Sequence, residues 1–240
     1  METTCSMKIS ICTQIKNRLY QFSKTFLKNV ETLEKYQDVE WIIVNCVSTD
    51  GLSEYIEEYL EKYSFIKYYQ ALDFKYSIPI AKNFAVRFSS GDYVFNLDCD
   101  NYLDNIIDEI KSADQGVHCH EYLKGTHGRI GMSREIFLKV GGYDENFYPA
   151  GVHDNDIMLR ASYLNYKFKS IPSVTPPVSN TKKDTVKDFE SIDWETMVKY
   201  NEVIMRYNEK KKILNPNNNI FTSCSFIYNL KDSIEKTNEF

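Results

Sequence analysis

Residues 91–101 read Gly-Asp-Tyr-Val-Phe-Asn-Leu-Asp-Cys-Asp-Asn: a turn, an apolar strand over Tyr93 to Leu97, then two carboxylates, Asp98 and Asp100, two positions apart. A hard divalent cation takes carboxylate oxygens, and the end of a strand can aim alternate side chains at one spot while a diphosphate supplies further oxygens. Two solvated loop aspartates would read the same way, so the surroundings decide the meaning of the pair.

Upstream, strands alternate with helices. Lys8 to Thr13 is a short apolar run with β-branched residues, and Leu19 to Leu33 follows with apolar residues at helical spacing (Leu19, Phe22, Phe26, Leu27, Val30, Leu33). Glu40 to Val47 is a second strand, Ser48 to Gly51 a turn, and Leu52 to Tyr63 a second amphipathic helix. Phe65 to Ala71 is a third strand, and Pro79 to Phe88 a third helix with proline in its first turn, where a missing N–H costs nothing. This alternation predicts an α/β domain with parallel pairing through right-handed crossovers. In such a sheet ligands bind outside the carboxyl ends of the strands, which are here Thr13 to Arg18, Asn45 to Asp50, Ala71 to Asp73 and Asp98 to Asn101.

Downstream of Asp104 the alternation weakens. Residues 116–130 carry three of the four histidines, His118, His120 and His127; Arg134 to Val140 reads as a short helix stopped at Gly141-Gly142. A further helix begins around Asp154 to Asp156, residues 170–180 form a proline-containing loop, Asp193 to Lys212 is a helix, and Ile220 to Leu230 a last apolar strand. We divide the chain into one domain over 1–180 and a helical C-terminal appendage over 181–240 packed on it. Asp154 and Asp156 form a second carboxylate pair at a helix start, where the positive end of the dipole favours ionised carboxylates. An ionised carboxylate suits a general base that takes a proton from a hydroxyl; helix capping is the other role, expected of one of the two.

The 240 residues are 42% hydrophobic and 26% charged, enough apolar material for a sizeable core. With 29 Lys and Arg against 34 Asp and Glu, a net charge of −5, there is no electrostatic footprint for nucleic acid. No run reaches the roughly 18 apolar residues of a membrane span, and no secretory leader is visible, so a cytoplasmic protein is expected. The six cysteines show no C-x-x-C pair and read as reduced thiols. Among the 18 tyrosines, Tyr68, Tyr69, Tyr76, Tyr143 and Tyr148 are candidates for stacking on a sugar or a nucleobase, with packing as the more ordinary role. The run Lys210 to Lys212 reads as a solvated helix C-terminus.

Taken in order, these segments resemble the GT-A glycosyltransferases of family 2, over roughly Lys8 to Ile171. Cys12-Thr13-Gln14-Ile15-Lys16-Asn17-Arg18 stands where the family has a Pro-Thr-Tyr-Asn-Arg-like stretch, and Asn45-Cys46-Val47-Ser48-Thr49-Asp50-Gly51 where it has Asp-Asp-Gly-Ser-Thr-Asp-Gly. Ala81-Lys82-Asn83-Phe84-Ala85 and Gly91-Asp92-Tyr93 precede the Asp-x-Asp, and Gly141 to Glu145 with His153 to Ile157 stands for Gly-Gly-Tyr-Asp-Glu and Glu-Asp-x-Asp-Ile. The C-terminal half also resembles the β-1,4-galactosyltransferases. The resemblance implies a Rossmann-like nucleotide-diphospho-sugar fold and metal-dependent, inverting transfer from a nucleotide sugar, a UDP-sugar above all, to a hydroxyl of a glycan, lipid-linked or protein acceptor.

On that resemblance Thr13 and Arg18 line the nucleotide pocket, Asn45 contacts the base, and Lys82 meets the base or the diphosphate. Asp98 holds the ribose or the metal shell, Asp100 binds Mn²⁺ or Mg²⁺, and Asp154 is the general base, with His153, Asp156 and Tyr148 as acceptor or supporting residues. The chain departs from the family at Asn45 and Cys46, each in place of aspartate, at His153 in place of glutamate, and at Ala150, where an acceptor-stacking aromatic is expected and Tyr148 is nearest. No histidine follows His153, so the third metal ligand is water or one of His118, His120 and His127. Two other readings fit the motifs: a sugar nucleotidyltransferase, although Cys12 to Arg18 lacks the glycines of its phosphate loop, and a degenerate relative that binds a sugar nucleotide or glycan without turnover.

Overall fold

The computed structural model describes residues 7–119, 127–172, 175–179, 186–189 and 192–236. The alternation expected upstream of Asp98 is present: β1 (Ile9–Ile15), α1 (Leu19–Leu33), β2 (Val39–Asn45), α2 (Leu52–Leu60), β3 (Ile66–Ala71), α3 (Ile78–Phe88) and β4 (Tyr93–Asn96). Side chains on a strand point alternately to opposite faces, and both faces here are covered. Ile9, Ile11, Trp41 and Ile43 meet Phe22, Phe26 and Val30 of α1 and Leu52 and Ile56 of α2 on one side. Cys12, Ile42, Val44 and Val94 meet Ala81, Phe84 and Ala85 of α3 on the other. Two-sided burial explains why these strands read as continuous apolar runs.

Strands β3, β2, β1 and β4 lie side by side and parallel, with Ile9 opposite both Val39 and Tyr93. Trp41 locks this centre: its ring stacks on Phe26 at 5.4 Å and its indole N–H donates to Thr13 Oγ1 at 3.0 Å. Thr13 Oγ1 in turn donates to the Leu97 carbonyl at 2.8 Å, tying the ends of β1 and β4 together beneath the Asp98 turn.

The weak alternation after Asp104 resolves into α4 (Ile106–Ser112), β5 (Gly116–His118), β6 (Ile130–Ser133), α5 (Arg134–Lys139), α6 (His153–Ser162) and β7 (Phe168–Ser170). The three strands hold three or four residues each, too few for any periodicity to register. β6 pairs antiparallel with β4, and β5 and β7 continue that edge. The C-terminal stretch holds the expected helix, α7 (Trp194–Lys211), and, within the expected Ile220 to Leu230 strand, β8 (Cys224–Tyr228). It adds a second strand, β9 (Asp232–Lys236), which forms a hairpin with β8, and β8 pairs antiparallel with β3. The sheet therefore has nine strands among the described residues, in the order β7-β5-β6-β4-β1-β2-β3-β8-β9. Among them no helix is long and apolar enough to cross a membrane.

At the amino ends of the parallel strands, Glu40 is 3% exposed. Burial alone would raise its pKa, but Lys67 Nζ at 2.6 Å, Ser10 Oγ at 2.6 Å and the Ser90 N–H at 2.6 Å hold it down at about 2. A carboxyl depressed in the folded state stabilises fully above its unfolded value and loses that contribution as pH falls through the folded value. Glu40→Gln should therefore cost roughly 3 kcal/mol at pH 7. In urea unfolding, the gap to wild type should close as pH falls from the ordinary carboxylate range toward 2.

Candidate active site

The carboxyl ends of β1 and β4 open into a cleft of about 380 Å³. Its walls come from three parts of the chain: Gln14 near the end of β1 with Lys16 and Arg18 after it, Asp98, Cys99 and Asp100 after β4, and Gly151 to Asp154 at the head of α6. Tyr76 and Ile78 from the α3 entry, His127 and Gly128 from the turn before β6, and Trp194 from α7 complete it.

Neutral amides hold the first carboxylate. Asp98 Oδ1 accepts from Asn96 Nδ2 at 3.0 Å and from Gln14 Nε2 at 3.4 Å. Asn96 Nδ2 also donates to the Gly128 carbonyl at 2.6 Å, bringing the 127–128 turn onto Asp98. The approach is close: a Cβ on residue 128 would sit 2.4 Å from Asp98 Oδ2, so a larger residue there would displace the Asp98 carboxylate. Asp100 accepts from Asn101 Nδ2 at 2.7 Å. Burial, with the Asp98 charge adding to it, pushes the Asp100 carboxyl up to about 7. Two crowded carboxyl groups in a partly exposed turn match the donor set a hard divalent cation seeks. Among the described residues no third His, Cys, Asp or Glu joins them in a group fit to hold a metal, so a cation there would draw its remaining oxygens from a ligand and water.

Opposite stands Asp154. Gly151 (φ +92°) and Val152 (φ +66°) are both left-handed and turn the chain sharply into α6, so that Asp154 falls in its first turn. For a β-branched residue this conformation costs roughly 1–3 kcal/mol, of the kind that accumulates at functional sites. Lys82 Nζ donates to Asp154 Oδ1 at 2.6 Å and lies 3.9 Å from Asp98 Oδ1, with the Tyr143 ring centroid 5.1 Å away. His153 Nε2 is 3.3 Å from the other Asp154 oxygen. Burial brings His153 down to about 4, so the ring is neutral at pH 7. Burial would raise Asp154, but His153 and the Lys82 ammonium outweigh it and keep the carboxylate below its ordinary range. At neutral pH the charge that does this is that of Lys82.

Residues 10–115 match the family described as Glycosyl transferase family 2. The chain has an α/β, Rossmann-like GT-A fold. Among solved structures it is similar to the mannosyltransferase PcManGT from Pyrobaculum calidifontis in complex with GDP-Man and Mn²⁺, with a TM-score of 0.60 and 18% identity over 73% of this chain and 57% of that one. It is also similar to S. aureus TarS 1-349 in complex with UDP, with a TM-score of 0.56 and 16% identity over 76% of this chain and 63% of that one. With UDP-GlcNAc bound, TarS 1-349 gives a TM-score of 0.56 and 14% identity over 73% of this chain and 60% of that one. The likeness at this identity is one of fold, an α/β GT-A architecture, and the match spans less than two thirds of each of those chains. Among curated proteins no sequence matches.

Within this fold the cleft gathers Arg18, Lys82, Asp98, Asp100, His153 and Asp154 from the residues expected of the site. Others lie elsewhere. Thr13 is fully buried between Trp41 and Leu97, and its place at the ends of β1 and β4 is a structural one. Asn45 is equally buried: Nδ2 donates to Tyr68 Oη at 2.7 Å and Oδ1 accepts from the Ser48 N–H at 2.8 Å, so the side chain is spent in the turn after β2. Tyr148 stacks on Tyr200, with ring centroids 5.0 Å apart, and lies outside the cleft lining. Asp156 points away into a buried ion pair with Arg160 Nε at 2.8 Å and Nη2 at 2.6 Å. His127 Nε2 donates to Asn155 Oδ1, and His118 Nε2 donates to the His127 carbonyl at 2.9 Å. His120 lies outside the described residues.

Arg18 reaches the cleft already paired, 2.9 Å from Asp188, which also accepts from Asn17 Nδ2 at 2.8 Å. Gln14, Asn96, Gly128, Trp194 and Asp188 were not foreseen. Asn96 had a signal, an amide facing inward from an apolar strand; Trp194 and Asp188 had none, because only the tertiary fold brings them to the cleft.

The Arg160 guanidinium also donates to the Val140 and Leu214 carbonyls, linking α6 to the ends of α5 and α7. Its removal would strand a buried carboxylate. Arg160→Met should cost roughly 3 kcal/mol in urea unfolding, and nucleotide affinity should stay within about twofold of wild type, as expected of independent sites.

Proposed function

We propose that this chain transfers a sugar from a nucleoside diphosphate sugar to an acceptor hydroxyl, with inversion and with Asp154 as general base. The observation that carries this reading is the meeting of Asp98 and Asp100 with Asp154 across one cleft at the carboxyl ends of parallel strands. In this reading the acceptor O–H proton passes to the Asp154 carboxylate while the acceptor oxygen attacks the anomeric carbon from the face opposite the diphosphate. The bond from that carbon to the phosphate oxygen breaks, and its electron pair leaves with the nucleoside diphosphate. Gln14 and Asn96 hold Asp98 in place for the donor side, and Arg18 and Lys82 supply positive charge beside it. Asp98 and Asp100 would hold Mg²⁺ or Mn²⁺, which when bound neutralises charge on the departing diphosphate as a Lewis acid.

PcManGT was solved with GDP-Man and Mn²⁺ and TarS with UDP and UDP-GlcNAc. We favour uridine from the family motif, although Asn45 does not support the preference because its side chain is committed to the turn. The acceptor class is a glycan, lipid-linked or protein hydroxyl. The galactosyltransferase-like reading of the C-terminal half rests on the motif at 141–157; Tyr148 lies outside the cleft lining, and Trp194 is an aromatic residue that does line it. The division into a domain over 1–180 and an appendage over 181–240 stays our reading. A cytoplasmic location is supported by the five described cysteines, all free thiols. One observation favours a non-catalytic sugar-nucleotide-binding module instead: both Asp154 oxygens have partners, Lys82 and His153.

The test is binding and turnover across UDP-, GDP- and dTDP-sugars, with and without Mg²⁺ or Mn²⁺. One donor should give metal-dependent nucleotide release. Asp154→Asn should lower that rate by roughly 10²–10⁴-fold while the donor still binds, and Asp100→Asn should remove the metal dependence. Binding of no sugar nucleotide would overturn the reading, and binding without turnover at every acceptor class would favour the non-catalytic module.

A further inference from the structure

Lys82 stands between the two halves of the cleft. It is 2% exposed, its ammonium donates to Asp154 at 2.6 Å, and the next carboxylate, Asp98, lies 3.9 Å away, beyond hydrogen-bonding distance. The other cationic chains lining the cleft are already engaged, Arg18 with Asp188 and Lys16 with the Val47 carbonyl. An ammonium has three N–H donors, and the Tyr143 face at 5.1 Å takes none of them as a lone-pair acceptor would. Donor capacity therefore remains on the side of Asp98, where a cation-bound diphosphate would lie. In a poorly solvated site an ion pair at 2.6 Å is strong, and a carboxylate so paired is a weak acceptor for a further proton. The geometry that holds Asp154 thus also suppresses it as a base.

We propose that Lys82 is a positioning residue that couples the two halves of the site: in the empty cleft its ammonium neutralises Asp154, and a bound diphosphate takes that ammonium over and leaves the Asp154 carboxylate free to receive the acceptor proton. This rests on the nucleoside diphosphate reading above. The carboxylate and the diphosphate compete for one cation, so occupancy of the donor side sets the state of the acceptor side. The buried ammonium stays compensated throughout, since it exchanges one anionic partner for another.

Competition of this kind is a coupling free energy, and a double-mutant cycle on binding alone measures it. UDP and GDP, each with Mg²⁺, are titrated calorimetrically against wild type, Asp154→Asn, Lys82→Met and the double variant, with thermal melts confirming that each is folded. Asp154→Asn should bind its nucleotide roughly fivefold to tenfold tighter than wild type, because Lys82 no longer has to leave an anion, and in the Lys82→Met background the same change should shift Kd by less than about twofold. Equal tightening in both backgrounds would mean that only the loss of a negative charge matters, and it would overturn the proposal, as would unchanged or weaker binding in Asp154→Asn. If Lys82→Met does not fold, Lys82→Gln, which keeps a polar tip without the charge, closes the same cycle. Wild type binding neither nucleotide would overturn the donor reading itself; nucleotide binding with no coupling would overturn only the role of Lys82.

Discussion

The carboxyl groups of Asp98, Asp100 and Asp154 share one cleft, and the fold has to compensate their charge while all three are partly buried. It does so unevenly. Asp98 receives two amide N–H groups, Asp100 one, and Asp154 the Lys82 ammonium. Amides orient a carboxylate without neutralising it, and this leaves the Asp98 and Asp100 side electronegative and Asp100 easily protonated. The side given the ammonium is already balanced. The asymmetry separates an electronegative carboxylate pair after β4 from a neutralised carboxylate at the head of α6, and it arises from three elements, β4, α3 and α6, that meet only in the folded chain.

Most of the parallel half was legible in the sequence because both faces of its sheet are buried. Helix α1 coincides with the expected Leu19 to Leu33, since Phe22, Phe26 and Val30 repeat at the spacing of one buried face. The antiparallel edge was not legible. β5, β6 and β7 hold three or four residues each, and what places them is pairing with distant partners, such as Val94 with Met132. Local pattern carries no trace of such a pairing.

The site divides along the same line. Asp98, Asp100 and Asp154 are readable because carboxylates after an apolar strand or at a helix start contrast with their neighbours. Thr13 and Asn45 show the opposite case. Both occur in stretches that resemble the family, yet each side chain is consumed by the backbone and side chains beside it. A motif position specifies where a residue lies along the chain, and the hydrogen bonds of the fold decide whether its polar atoms face a ligand. Trp194 makes the point in reverse: no motif marks it, and α7 still brings it into the cleft lining.

The pairing of β8 against β3 bears on how the chain assembles during synthesis. The parallel strands β1 to β4 are complete once Asn96 has been made, but one flank of β3 stays open until Cys224 to Tyr228 arrives. An open strand edge is a template for pairing with another chain, and segments that leave the ribosome early wait longest for late partners. On the polysome, then, the nascent protein passes through an interval with one unprotected edge, and slowing translation between β4 and β8 lengthens that interval.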